Sequence, residues 1–141
     1  MHRAVAAAVL CACAACAGPR PRPAARALDN FEFSAWEERG PSDRAGQLFF
    51  RVLAAGQSWG QTPIGAASEP RSWQGTLPEG EFPMLFEVWD SSDGVSGVRR
   101  PDGQQPPQRR VRVEAGYKTS VVLKLTDSGR QAFFYITREP R

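Results

Sequence analysis

Apolar and polar residues alternate along the chain from about residue 28 onward. In residues 30–36 (NFEFSAW), Phe31, Phe33 and Ala35 fall on one face, with polar residues between them. This period of two residues is typical of a half-buried β-strand. Six later segments also carry strand patterns, of which 72–77 is the weakest: 48–53, 72–77, 82–90, 109–114, 119–126 and 131–137.

Segment 82–90 (FPMLFEVWD) has the strongest of these patterns. One of its faces carries four apolar residues, Phe82, Met84, Phe86 and Val88. Trp89 falls on the opposite face. Pro83 has no main-chain N–H to donate, so it predicts an edge position or a bulge near the start of this strand.

The last three predicted strands are joined by short connections that contain glycine, 115–118 and 127–130. Such connections predict consecutive hairpins, that is, an antiparallel meander. Residues 40–46 and 95–107 are predicted to be loops. Seven or so short strands, with 13 glycines, 12 prolines and no long helical period, indicate an all-β fold. We expect a single antiparallel β-sandwich or small barrel of about seven to eight strands over residues 28–141.

The first fifteen residues have a different character. A short positive start (MHR) precedes the apolar run 4–10 (AVAAAVL), and small residues follow. This is the three-part form of a secretory signal, and it is too short to span a bilayer. The alternative is a frayed N-terminal helix of a cytosolic protein, which leaves the abrupt change to GPRPRP at 18–23 unexplained.

All three cysteines of the chain, Cys11, Cys13 and Cys16, lie within six residues of one another. A disulfide framework needs cysteines spread through the fold, and a zinc site needs a fourth ligand, whereas the only histidine is His2. Neither interpretation fits this position in the chain.

The segment 13–16 (CAAC) instead resembles the processing site of bacterial lipoproteins, in which the last cysteine becomes the lipidated first residue. This resemblance implies a lipoprotein-type signal peptide over 1–15 and an acyl chain such as palmitate on Cys16. Lipidation of Cys13, or ordinary cleavage after Ala14 or Ala17, stays open. The lack of Asp after Cys16 implies, by the lipoprotein sorting rules, the outer membrane, with the protein facing the periplasm.

Residues 16–27 then form a tether rich in proline and arginine. Alternating prolines favour an extended polyproline conformation, in which nine residues reach roughly 25–30 Å. The expected partner of this part of the chain is the membrane, held through the N-terminal lipid.

Charge changes the picture in two ways. The net charge of the chain is +3, but residues 27–141 carry twelve Arg and two Lys against fifteen acidic residues. A nucleic-acid partner is therefore not expected, because it requires a basic surface on the folded domain. A local arginine cluster is a candidate basic patch for lipid head groups or an acidic partner segment: Arg99, Arg100, Arg109, Arg110 and Arg112. The alternative is that these charges keep a long loop and an edge strand soluble.

The residues that carry most enzyme chemistry are missing from the part of the chain beyond the leader. Residues 17–141 contain neither histidine nor cysteine, which argues against a Ser-His-Asp set, a Cys-His pair and a histidine metal centre. We therefore predict no catalytic residues, no metal, no cofactor and no small-molecule substrate. The acidic segment 90–94 (DSSDG) is interpreted as a turn, because it lacks the ligand spacing and closing Glu of a calcium loop.

Large apolar side chains are the remaining candidates for a binding surface. Five residues are predicted partner contacts because of their size and polarizability: Trp59, Trp73, Met84, Phe86 and Trp89. The alternative role for most of them is the core of the sandwich.

Three segments in order, GQLFFRVLAAGQSWG, LPEGEFPMLFEVWD and RVRVEAGYKTSVVLKL, are similar to the β-sandwich pilotin lipoproteins of type III secretion systems. The resemblance covers most of residues 28–137. It implies a non-catalytic outer-membrane lipoprotein that binds a C-terminal segment of the secretin subunit and assists its localisation and assembly. The alternative is a transthyretin-like or carboxypeptidase-regulatory-like binding or structural module of the envelope. A generic small envelope lipoprotein is the wider class.

Overall fold

The computed structural model describes residues 29–38 and 46–141. The predicted signal peptide (1–15) and the predicted tether with Cys16 (16–27) lie outside these residues, and so does the predicted 40–46 loop except for Gly46. Ten strands occur in the described part: β1 (Phe31–Glu37), β2 (Gln47–Ala54), β3 (Gln57–Gln61), β4 (Gly65–Ala66), β5 (Arg71–Gly75), β6 (Gly80–Ser91), β7 (Val98–Arg99), β8 (Arg109–Val113), β9 (Tyr117–Thr126) and β10 (Gln131–Pro140). Two single 3-10 turns are found at Asp102–Gln104 and Asp127–Gly129.

The strands form two sheets that pack face to face. Sheet A has the order β10-β9-β1-β5, and sheet B has β3-β2-β6, with β4 also on β2 and with β7 and β8 both on β6. The all-β sandwich predicted from the sequence is confirmed, and it is open rather than a closed barrel. One pair departs from the antiparallel pattern, because β1 and β9 run parallel, with Phe31 beside Thr119.

The prediction of a meander at the end of the chain is wrong for its first strand. β8 pairs with β6 in sheet B, from Gly80 opposite Val113 to Met84 opposite Arg109, and only β9 and β10 form a hairpin. The connection around Gly116, which has a φ of 81°, carries the chain from one sheet to the other. The physical reason is that β1 occupies the edge of β9 that β8 would need, while the first part of β6 offers an open edge.

Pro83 lies where β6 is paired on one side only, by β8, so the predicted edge position near the start of this strand is confirmed, although β6 is central farther along. The main chain of Val88 bonds Gln105 and Arg100, on the side of β7 and β8. Alternation along the strand turns the nitrogen of Pro83 toward the side of β2. Since the pairing with β2 ends at Met84, the missing N–H of Pro83 costs no ladder hydrogen bond.

The core lies between the inner faces of the two sheets, and its centre is aromatic. Phe33 of sheet A stacks on Phe86 of sheet B, with ring centroids 4.6 Å apart, and meets Phe50 edge-on at 5.7 Å. These three side chains are fully buried. Burial of this apolar surface is the main favourable contribution to folding.

A buried ionic cluster ties the two sheets together near the ends of β1 and β6. The guanidinium of Arg100 donates to both oxygens of Glu37 at 2.5 and 3.0 Å, and also to the carboxylate of Asp90 at 2.9 and 3.0 Å. The side chains of Arg100 and Glu37 are 4% and 1% exposed. Desolvation lowers the pKa of Arg100, but the hydrogen bonds to Glu37 and Asp90 outweigh it and raise the pKa above its ordinary value.

The loop that carries Arg100 is fixed by a second side chain. The amide of Gln105 accepts a hydrogen bond from the main-chain N–H of Val88 and donates to the carbonyls of Val88 and Arg100. It thereby takes the place of a paired strand in the gap between β7 and β8. The prediction of a loop over 95–107 is wrong at Val98–Arg99, which form β7, and at the first 3-10 turn. The segment is anchored to β6 by β7 and by Gln105.

Candidate partner-binding cleft

Two adjoining apolar hollows open at the end of the sandwich where β2 turns into β3. The first is small and shallow, and is lined by Ala54, Ala55, Trp59, Leu77, Pro78 and Phe82. The second is larger, and is lined by Leu53, Ala54, Ala55, Gly56, Pro83, Leu85 and Gln108. They share Ala54 and Ala55, and we call them together the end cleft.

The shape of the end cleft depends on a tight hairpin turn. Ala55 and Gly56 have φ angles of 53° and 75°, the left-handed values that a two-residue hairpin of type I′ requires. Ala55 is exposed and lines both hollows. The indole N–H of Trp59 donates to the carbonyl of Ala54 at 3.3 Å, which fixes the ring against the turn.

The floor of the first hollow is held by a buried asparagine. The side chain of Asn30 donates to the carbonyl of Leu77 and accepts from its N–H, both at 2.9 Å. The pair joins the start of β1 to the connection between β5 and β6, so the buried Leu77 keeps a fixed position. A buried polar group that is satisfied in this way adds rigidity, since the bonds cannot be exchanged with water.

The lining of the end cleft is almost entirely apolar. Its lining residues are all apolar except Gln108, and none of them carries a titratable group. On the neighbouring strand β8, Arg110 lies opposite Pro83 and Arg112 opposite Glu81, and both arginines are exposed. The nearest ion pair, from Arg110 to Glu81, is long at 3.9 Å. The end cleft therefore combines an apolar lining with two exposed arginines and one glutamate on the neighbouring strands.

The structure separates the five predicted partner contacts instead of bringing them together. Trp59 lines the end cleft. Trp73 wedges between the sheets against Gly60 and Gly75, where any added Cβ would overlap its ring, so it closes this side of the core. Met84 and Phe86 are 0% and 1% exposed, and their prediction as contacts is wrong because their face of β6 points into the core.

Trp89 lies on the outer face of sheet B, as the alternation predicted. Its ring stacks on Phe49 with centroids 5.8 Å apart, and the guanidinium of Arg51 lies 4.2 Å from the ring centroid. Its indole N–H donates to Glu87 at 3.2 Å. These contacts within the sheet use both the ring face and the polar atom of Trp89.

The arginine cluster does not form one basic patch. Arg100 is buried in the ionic cluster, so its prediction as part of an exposed patch is wrong. Arg99 is paired with Glu87 at 2.8 Å and Asp102 at 3.0 Å. The guanidinium of Arg109 lies 4.9 Å from the ring centroid of Phe134. β7 and β8 pair with opposite ends of β6. Of the five arginines of the cluster, Arg110 and Arg112 are therefore the two exposed neighbours that remain beside the end cleft.

In the acidic segment 90–94, the first two residues end β6 and residues 92–94 begin a turn, so the predicted turn is confirmed for its last three residues. The carboxylate of Asp93 accepts hydrogen bonds from the N–H groups of Val95 and Ser96, both at 2.8 Å, and from the hydroxyls of Ser96 and Ser91. Across residues 29–38 and 46–141, no three His, Cys, Asp or Glu side chains are grouped so that they could hold a metal. The carboxylate oxygens of Asp93 therefore stabilise the turn by accepting hydrogen bonds from its own residues.

These bonds predict how the turn responds to acid. The hydroxyl of Ser96, together with the N–H groups of Ser96 and Val95, holds the pKa of Asp93 well below its usual range. The stabilisation is therefore complete above the unfolded pKa of about 3.9 and is lost only as the pH falls through the lower native value. We expect the amide NMR shifts of Val95 and Ser96 to stay constant from about pH 7 down to about pH 4 and to change below that.

The variant Asp93→Asn is the control for this titration, because it removes the ionisable group. In this variant the same two amide shifts are expected to differ from wild type at neutral pH and not to titrate in acid. A wild-type titration centred near pH 4, the ordinary value for an aspartate, would contradict the prediction.

Sequence reasoning missed most of the end cleft. Ala55, Leu77, Pro78 and Phe82 come from separate parts of the chain, and the hairpin that creates the cleft was not predicted at all. The typical signal for such a turn is Asn-Gly or Asp-Gly, whereas Ala rarely adopts a left-handed conformation. Gly56, directly after an apolar strand, was the one available hint.

In the described part of the chain, no helix is long and apolar enough to cross a membrane. Comparisons with models of protein families, with curated proteins and with solved structures found no match to this chain.

Proposed function

We propose that this chain is a non-catalytic outer-membrane lipoprotein that binds an apolar segment of a protein partner in its end cleft. In its specific form, the proposal is that it acts as a pilotin, which assists the localisation and assembly of a secretin. The observation that carries the proposal is the end cleft itself, an open apolar surface built on a rigid turn and bordered by exposed arginines.

Each feature of the end cleft has a part in this function. The larger hollow accepts an apolar side chain of the partner segment, and the shallow one adds apolar surface beside it. The burial of this side chain contributes about 25 cal/mol per Å². Arg110 and Arg112 favour a segment that also carries acidic residues, chiefly by steering its approach. An acyl chain on Cys16 would supply location, and the tether over 16–27 would supply reach.

The test is a pull-down of the C-terminally tagged full chain from detergent-solubilised envelope of the producing bacterium, with bound proteins identified by mass spectrometry. The cleft variant is Ala55→Asp, which puts a carboxylate beside both hollows. Asp tolerates a left-handed backbone better than Ala, so the turn is expected to survive. Val98→Asp, at an exposed apolar position elsewhere, is the matched control.

We expect wild type and Val98→Asp to retain a secretin subunit and Ala55→Asp to lose at least about tenfold of it, the equivalent of one buried contact. Absence of a secretin from the wild-type sample would overturn the pilotin proposal. Equal recovery with Ala55→Asp would overturn the end cleft as the binding site. In parallel, Cys16→Ala is expected to release the protein from the membrane fraction, and unchanged fractionation would overturn the lipid anchor.

A further inference from the structure

β10 forms one edge of sheet A and is the longest edge strand of the sandwich. Among the described residues, no strand pairs with its outer side. Its first seven residues, 131–137, carry no charge, and Phe133, Tyr135 and Ile136 are 56%, 69% and 40% exposed. By contrast, the edge strand β8 has only five residues and carries three arginines. A long, uncharged, apolar edge is a template for pairing with another strand.

We propose that this edge is the interface of a homodimer, in which β10 pairs antiparallel with β10 of a second copy around a two-fold axis at Tyr135. The two A sheets then form one continuous eight-stranded sheet. This surface is separate from the end cleft, and the inference does not depend on the proposed function.

The main-chain groups available for this pairing can be identified from their neighbours. The N–H of Arg141 donates to the carbonyl of Gly116, so the odd-numbered residues of β10 point their main-chain groups toward β9. Two further hydrogen bonds support this orientation. Thr119 and Leu125 of β9 bond toward β1, so their partners in β10, Arg138 and Ala132, receive no hydrogen bond from β9. The outward groups therefore belong to four even-numbered residues: Ala132, Phe134, Ile136 and Arg138.

These four residues are placed symmetrically around Tyr135, which makes the edge complementary to itself. In the register centred on Tyr135, Ala132 faces Arg138 of the second copy and Phe134 faces its Ile136. All four residues then exchange both hydrogen bonds. On the outer face, Tyr135 lies against its own equivalent, and aromatic cross-strand pairs are among the favourable ones.

The neighbouring registers are worse. A shift of two residues in one direction places Arg138 beyond the start of β10 of the second copy, beside Arg130, whose backbone is α-helical. Arg138 then loses its strand partner and meets a like charge. A shift in the other direction places Pro140 opposite Ala132 of the second copy, and proline has no N–H to donate. The symmetry around Tyr135 matches the edge to a second copy of this chain. It gives no advantage to a strand of another protein.

The expected dimer is weak, because a single pair of strands buries less surface than the roughly 1,200–2,000 Å² of stable complexes. Its test is a disulfide across the axis. Tyr135 forms a non-hydrogen-bonded pair with its equivalent, which sets the two Cα atoms about 4.5 Å apart. That separation lies within the range of about 4.4–6.8 Å that a disulfide accepts.

The experiment uses the full chain with Cys11, Cys13 and Cys16 replaced by Ser, so that the introduced cysteine is the only one. Under mild oxidation, Tyr135→Cys is expected to convert mostly to a covalent dimer. Thr137→Cys is the matched control, because it lies opposite Phe133 of the second copy and about 14 Å from its own equivalent. Circular dichroism confirms that both variants fold.

Sedimentation velocity of the same cysteine-free chain, from about 10 μM to about 1 mM, provides the second readout. We expect concentration-dependent dimers, and an increase of about tenfold or more in Kd for Tyr135→Lys, which sets two cations against each other at the axis. Val98→Lys is expected to match the cysteine-free parent. Monomers throughout, an unchanged Kd for Tyr135→Lys, or equal cross-linking of the two cysteine variants would each overturn the proposal.

Discussion

The variant Arg100→Ala is expected to lower the free energy of unfolding by about 3–5 kcal/mol. The change removes the guanidinium that bonds both oxygens of the buried Glu37 and reaches Asp90 on the other sheet. A buried carboxylate that loses its charged partner keeps its desolvation penalty. Urea denaturation followed by circular dichroism measures the effect at pH 7.

Arg99→Ala is the matched control for this prediction. Arg99 is the same residue type one position away, and its ion pairs with Glu87 and Asp102 lie at the surface. Surface pairs contribute little, so the expected loss is below about 1 kcal/mol. Arg100→Lys is expected to recover only part of the loss, because a single ammonium cannot reproduce the two-oxygen contact. Equal losses for Arg99→Ala and Arg100→Ala would show that burial of the cluster does not stabilise the sandwich.

The second large effect is expected at Phe86. Replacement by alanine leaves a cavity between the sheets, where the ring stacks on Phe33 and lies 5.9 Å from that of Phe134. The expected loss of unfolding free energy is about 3–5 kcal/mol. Phe133→Ala is the control, because this ring is exposed, and its expected effect is within about 0.5 kcal/mol. Both are measured at low micromolar protein concentration.

The Phe86 experiment also decides between two roles. If Phe86 were a partner contact, as the sequence analysis predicted, its removal would reduce binding with little change in stability. A loss for Phe86→Ala no greater than that for Phe133→Ala would contradict its assignment to the core.

Local patterns in the sequence predicted the strands well, because alternation is a property of each segment alone. The inward face of β1 at Phe31, Phe33 and Ala35 is confirmed. Alternation was less informative in 131–137 (QAFFYIT), where both faces are apolar. Nothing in that segment indicates that Phe134 packs against the core while Phe133 and Tyr135 face outward. That outcome depends on which side of β9 the strand occupies.

Contacts between distant residues could not be predicted. Arg99 and Arg100 are adjacent in a polar segment of the sequence. Arg100 becomes a buried ion-pair partner only because the ends of β1 and β6 lie close together in the fold. The end cleft has the same origin, because the turn at Ala55 and the segment around Leu77 are neighbours only in the folded sandwich. The pattern of a single strand carries no information on its partner.

The position of β1 affects how the chain folds. β1 is the first strand, yet it lies between β5 and β9, with Phe31 beside Thr119. Pairing residues so far apart in sequence requires closure of a long loop, which is typical of slow β-folds with high contact order. A nascent chain that ends before β9 leaves one edge of β1 without its neighbour, so sheet A can form only after synthesis of the domain is nearly complete. Folding of this sandwich is therefore expected to be slow, and fragments that lack β9 are expected to aggregate.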